Sequence, residues 1–199
     1  MTTDLLHELA PLATYCALMS STPGPNNMML TASGASFGYR RTLPQILGIA
    51  VGGLVLTLLC CLGLGALLNL VPGLQTSLRV AGALYLLWLA WRMLRSSVAD
   101  AQMAEPLSFA QGCFFQAINP KSWTRAITLG AVFMPPELGP LQGALLVSVL
   151  GAMIGVPCVS IWALFGVAIR RFLADPRMLR LFNAMMAAGL AVMAVLFLR

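Results

Sequence analysis

The chain has 199 residues, of which 59% are apolar and only 9% charged, with a net charge of +6. An ordinary soluble domain has about a quarter of its residues charged, so this composition excludes a water-soluble globular protein, a nucleic-acid binder and a disordered chain. A helix needs about 20 apolar residues to cross a bilayer, so the length holds six or seven crossings and leaves no room for a separate soluble domain.

The amino terminus, Met1-Thr2-Thr3-Asp4 with Glu8, is acidic where a secretory signal is basic, so the first apolar stretch is expected to be retained. His7, the single histidine, sits beside Glu8 and is expected to mark a membrane edge rather than to handle protons. Apolar runs set against turn and charge signals predict six spans. They run from about Pro11 to Ser36, Leu43 to Leu70, Arg79 to Leu94, Phe109 to Met134, Leu141 to Ile169 and Leu179 to Leu198. The fold expected is therefore an all-α membrane protein, one transmembrane domain over residues 1–199. The five cysteines, Cys16, Cys60, Cys61, Cys113 and Cys158, all lie in apolar runs without a CxxC pair. They read as small buried or lipid-facing side chains, not disulfides or metal ligands, and no metal or cofactor is expected.

Basic residues near span ends set orientation. Arg40 and Arg41 lie in the first loop, Arg92 and Arg95 at the third, and Arg170, Arg171, Arg177 and Arg180 in the fifth. The opposite side has only Arg79 and Arg199. The odd loops are thus expected inside the cell and both termini outside. Trp88 and Trp91 near Arg92 read as an interfacial aromatic belt.

Three spans plus three suggest an internal duplication, with halves at about 1–98 and 106–199. Leu47-Gly48 to Gly52 matches Leu150-Gly151 to Gly155, and Thr22-Pro23 matches Asn119-Pro120 in the same order. Because three is odd, the second half would insert upside down, giving two inverted three-helix repeats. The paired glycines Gly48/Gly52 and Gly151/Gly155 read as close helix packing within one protomer, with a homodimer face as the alternative.

Both repeat-leading spans are broken. The run Ser21-Thr22-Pro23-Gly24-Pro25-Asn26-Asn27 cannot continue a regular helix. With Pro11 as the first helical residue, the break at Pro23 falls about 18 Å in, near the middle of the hydrocarbon core. The fourth span breaks at Asn119-Pro120-Lys121, also midway. Irregular backbone at that depth is tolerated only where protein or a water-filled cavity covers it. Asn119 is a natural N-cap before Pro120, and Asn26 or Asn27 is expected to cap the other half-helix. Such N-termini present free N–H groups suited to a carboxylate. Lys121, Thr124, Arg125 and Thr128 share one helical face by spacing. Snorkelling to an interface accounts for Arg125, but for Lys121, about 20 Å from the end of its span, a cavity-facing position is expected.

These residues resemble the LysE/RhtB amino-acid exporter family. The likeness is borne by Thr22-Pro23-Gly24-Pro25-Asn26-Asn27 followed by Gly38-Tyr39-Arg40-Arg41, by Ala81-Gly82-Ala83-Leu84-Tyr85-Leu86 through Trp91, and by Asn119-Pro120-Lys121. It covers essentially the whole chain. The resemblance implies a bacterial inner-membrane exporter of amino acids or close derivatives, driven by the proton-motive force. The Pro-Gly-Pro-Asn-Asn form is most similar to members that export cysteine or O-acetylserine. Many members have Asp where Asn26 stands, and this chain has no carboxylate there.

All six acidic residues, Asp4, Glu8, Asp100, Glu105, Glu137 and Asp175, lie in loops, the amino terminus or span edges. A carboxylate proton relay at midplane is therefore not expected, nor is a cationic substrate. The expected substrate is neutral or zwitterionic. Its binding set is Pro23, Gly24, Pro25, Asn26, Asn27, Gln116, Asn119, Pro120, Lys121 and Arg125. The carboxylate would meet Lys121 and the half-helix ends. The amine would meet Asn26, Asn27, Gln116 or freed carbonyls. Lys121 is also the candidate to release and take up the coupling proton. The expected partners are a small amino acid, protons and the bilayer. The alternatives are an intramembrane enzyme, for which no catalytic set appears at depth, and a channel, for which no pore-lining stripe appears.

Overall fold

The computed structural model describes residues 2–65, 70, 72–95 and 105–198, and every regular element among them is helical. In chain order these are α1 (Thr2–Ser21), α2 (Pro25–Phe37) and α3 (Tyr39–Leu59), the last continued by a π-helical turn, Cys60–Leu64. Next come α4 (Pro72–Arg95), α5 (Phe109–Ile118), α6 (Pro120–Val132) and α7 (Pro140–Ile169). A 3₁₀ turn, Phe172–Ala174, leads into α8 (Pro176–Leu198). Residues 96–104 and Arg199 lie outside the described residues, so Asp100 and the expected boundary between halves are not placed. The same holds for the side chains of Asp4, His7 and Glu8.

Prolines set several helix starts. Pro25, Pro120 and Pro140 each open a helix, where a missing N–H costs nothing and the fixed φ already suits the turn. Ser108 starts α5 with a reciprocal cap: its Oγ accepts from Gln111 N at 3.2 Å, and its own N–H donates to Gln111 Oε1 at 2.9 Å. Between α2 and α3 the connection shrinks to Gly38, whose φ of 81° is left-handed and favours glycine. Arg40 and Arg41 consequently sit in the first turn of α3 and not in a loop.

Among the described residues three helices are long and apolar enough to cross a membrane: Tyr39–Leu64, Pro140–Ile169 and Pro176–Leu198. Helix α4, at about 36 Å, has the length but contains Arg79, Arg92 and Arg95. The apolar part of α1 is Leu9–Ser21, and α2, α5 and α6 have 13, 10 and 13 residues. Each of these four pieces spans only about 15–20 Å. Several expected starts move outward. Helix α1 reaches back to Thr2, so Pro11 lies inside it. Helix α3 begins at Tyr39, α4 at Pro72 and α8 at Pro176. Apolar runs mark only the stretch that needs a lipid-compatible surface, whereas a helix can continue into water.

Burial differs from that of a soluble fold in two ways beside an apolar core. Thr42, Gln45, Thr57, Gln116, Asn119 and Ser148 are buried, while Val51, Phe114 (69% exposed), Met153, Ile161 and Val192 point outward. Hydrocarbon around the bundle accounts for both halves of that pattern.

Close backbone contact holds the centre. Helix α2 packs on α7, with Gly34 against the Ala163 backbone and Gly166 against Thr31 and Ala35. Helix α3 packs on α5 through Gly48, Gly52 and Gly112. Helix α4 packs on α8, and the apolar cluster of Met29, Leu86, Phe115 and Leu190 joins that pair to α2 and α5. Helix α7 also touches α1, and α3 also touches α6. Thus α7 lies along both pieces of the broken first segment, and α3 along both pieces of the second. Gly48 and Gly52 pack within the protomer, as their spacing suggests. Gly151 and Gly155 also pack within the protomer, against the side chains of Arg125, Cys16 and Ser20. At the other end of α4, Arg92 stacks over Trp88 at 4.9 Å and Arg95 over Trp91 at 4.5 Å.

Candidate functional site

The two helix breaks meet. The first, residues 22–24, separates α1 from α2, and the second, Asn119, separates α5 from α6. Every break frees carbonyls that must find donors where water is excluded. Asn27 Nδ2 donates to Ser20 O and Thr22 O, both at 2.8 Å. Lys121 Nζ reaches across from the other break to Thr22 O and Thr22 Oγ1, both at 2.8 Å, and to Pro23 O at 3.3 Å. At the second break the Trp123 indole N–H donates to Ala117 O at 2.7 Å. Asn119 Oδ1 accepts from Lys121 N at 3.1 Å, which makes Asn119 the expected N-cap.

The first break differs from expectation. Neither Asn26 nor Asn27 caps α2. Gly24 holds the N-cap position without a side-chain bond. Asn27 is occupied by the carbonyls behind it, and Asn26 by Gln116. Asn26 Nδ2 donates to Gln116 Oε1 at 3.0 Å, and Gln116 Nε2 donates to Asn26 Oδ1 at 3.2 Å. Ser122 Oγ adds a bond to Gln116 Oε1 at 2.7 Å. The starts of α2 and α6 equate Pro25 with Pro120, two residues from the pairing that the sequence match suggests. In that register Asn26 and Lys121 are equivalent. Each reaches from the second residue of its helix to the end of the opposite broken segment.

A cavity of about 70 Å³ opens where the breaks meet. Gly24, Asn26, Asn27, Gln116, Asn119, Lys121 and Arg125 line it. Pro23 contributes only its carbonyl. Pro25 is buried at the start of α2, and Pro120 faces a separate groove with Arg79, Trp123 and Thr124. The expected face of Lys121, Thr124, Arg125 and Thr128 is therefore rotated: Lys121, Ser122 and Arg125 face the cavity, and Thr124 does not. Spacing alone could not choose between neighbouring stripes of one helix.

Lys121 and Arg125 donate to different backbone segments. Arg125 donates to Gly151 O at 2.8 Å, and the missing Cβ at Gly151 makes that approach possible. Arg125 Nε is buried without a partner. A Cβ at Gly24 would come within 3.0 Å of Lys121 Nζ, so glycine there leaves room for the lysine. Sequence reasoning missed Ser20, Ser122, Gly151 and Gly155 as cavity residues. The glycine pair was visible, but its role as the landing surface for Arg125 was not.

Residues 17–199 match the LysE type translocator family. The chain belongs to that family. Cysteine/O-acetylserine efflux proteins of Escherichia coli K12 and Shigella sonnei Ss046 are 35% identical over 160 residues, covering 79% of this chain and 82% of theirs. The counterpart from Escherichia coli O1:K1 is 34% identical over the same length. No solved structure matches. Family membership makes this LysE-type chain a membrane translocator, in line with the motif resemblance and with its lipid-compatible surface.

For this translocator the cap at Asn119 matters structurally. Asn119 is 1% exposed, so Asn119→Ala leaves Lys121 N–H without a partner. Loss of a cap costs about 1 kcal/mol. Thermal unfolding of the detergent-purified variant is expected to show a lowered Tm, whereas an unchanged Tm would show that the cap contributes nothing.

Proposed function

We propose that the chain is a secondary exporter of a neutral or zwitterionic amino acid or close derivative, driven by the proton-motive force across a bacterial inner membrane. The observation behind this reading is the central cavity. Two broken helices meet there, two cations line it, and no carboxylate stands among its described residues. At roughly 10–15 Å³ per water position, about 70 Å³ holds some five waters. That suits a molecule the size of a small amino acid. The relatives' names, with cysteine and O-acetylserine, point to the same size class.

In this mechanism the substrate carboxylate displaces the Thr22 and Pro23 carbonyls from Lys121, and Arg125 Nε offers a further donor. The ammonium meets the amide oxygens of Asn26 and Gln116. Six spans in two inverted repeats then rock about this site. The reciprocal packing of α3 and α7 on the opposite broken segments supports that plan. The arginines at the odd connections support odd loops inside and both termini outside. Lys121 is the coupling group in this reading, because no carboxylate stands among the described residues of the cavity.

The test is efflux from cells loaded with a labelled amino-acid panel that includes cysteine and O-acetylserine, with and without a protonophore. At least one compound is expected to leave only when the protein is present, and the protonophore is expected to stop it. Efflux independent of the protein for the whole panel would overturn the proposal.

A further inference from the structure

A second cavity of about 150 Å³ lies at the odd-connection end of the bundle, between the ends of α2 and α4 and the starts of α3 and α8. It shares no lining residue with the central cavity. Gln45 stands in its wall. That side chain is 0% exposed, and neither its amide nitrogen nor its amide oxygen has a hydrogen-bond partner. An amide left so is costly. It persists where another conformation or a ligand supplies its partner. The wall also contains Arg92 and Glu105, one charge of each sign, together with the hydroxyl residues Ser33 and Ser36. Among its described residues the charges of the central cavity are both cations.

From this geometry we infer that the second cavity is a loading site for the zwitterionic substrate, used before the central cavity. The inference rests on the export reading above. Arg92 takes the carboxylate and Glu105 the ammonium. The Gln45 amide, which can both donate and accept, takes a polar side-chain group. The larger volume suits a site that collects the substrate rather than one that encloses it. Asn26 of the central cavity and Met29 and Ser33 of this one lie on the same helix, so transfer covers about 5–10 Å along α2.

The experiment uses the full-length protein in proteoliposomes, with labelled O-acetylserine or cysteine presented on the odd-loop side. Gln45→Leu keeps the volume and removes the amide, so its Tm is expected to be equal or higher. Its KM is expected to rise about fivefold, the factor one neutral hydrogen bond supplies, with the maximal rate nearly kept. Glu105→Gln, at an exposed position outside any helix, is expected to raise KM likewise, which covers the case of a misfolded Gln45 variant. Lys121→Met is expected to lower the maximal rate instead. If both loading-site variants keep the wild-type KM while the wild type transports, the cavity holds only water and the inference falls. If the wild type moves neither probe, the export reading fails first.

Discussion

Lys121→Met is expected to lower export by about a hundredfold. Lys121 Nζ makes two 2.8 Å bonds to Thr22 and a longer one to Pro23 O. Hydrogen bonds from a charged group contribute about 1.5–3 kcal/mol each, and each 1.4 kcal/mol is about tenfold. Methionine has a similar length but no donor, so it loses the carbonyl clamp and the carboxylate partner together. Lys121→Arg keeps the charge, but the guanidinium is larger where Gly24 already lies close. It is expected to recover part of the activity. Protonophore sensitivity separates the two roles of the lysine. If Lys121→Met still exports and a protonophore still stops it, Lys121 is not the coupling group.

Gly166→Ala is expected to destabilise the protein by about 3 kcal/mol. A Cβ there would run into the backbone of α2 at Thr31 O and lie 2.8 Å from Ala35 N. Backbone cannot rotate away as a side chain does, so the two helices must separate. Their contact also includes Thr31 Oγ1 donating to Trp162 O at 3.2 Å. Gly73→Ala provides the control, since a Cβ at Gly73 meets nothing within 4 Å. Thermal unfolding in detergent should show a large fall in Tm for Gly166→Ala and none for Gly73→Ala. Equal Tm values would show that the α2–α7 contact relaxes easily.

Much of the site was legible because prolines and buried charge are strong local signals. Pro120 after Asn119 announces a helix start wherever it occurs, and the structure has it there. Lys121 is out of place in an apolar span on any reading of composition. The first break was harder. Pro23 and Pro25 compete to open α2, and both Asn26 and Asn27 are competent caps. The structure gives the cap position to Gly24 and turns both asparagines to other partners. Their choice depends on Gln116, ninety residues away, and on the free carbonyls of Ser20 and Thr22.

The amino-acid sequence alone determined the class of this protein, the two helix breaks and the placement of basic residues along the chain. Each of these follows from local composition: low charge, proline without an N–H, arginine beside an apolar run. Only the tertiary structure decided that the breaks cross-bind, that Arg125 lands on Gly151, and that Gln45 is buried in a cavity wall without a partner. Those facts come from which helices touch, and the α2–α7 and α3–α5 contacts are set by glycines that admit backbone at short range. The 9% charge that excluded a soluble protein includes two cations in the central cavity. The sequence could name those residues, but only the packing could put them together.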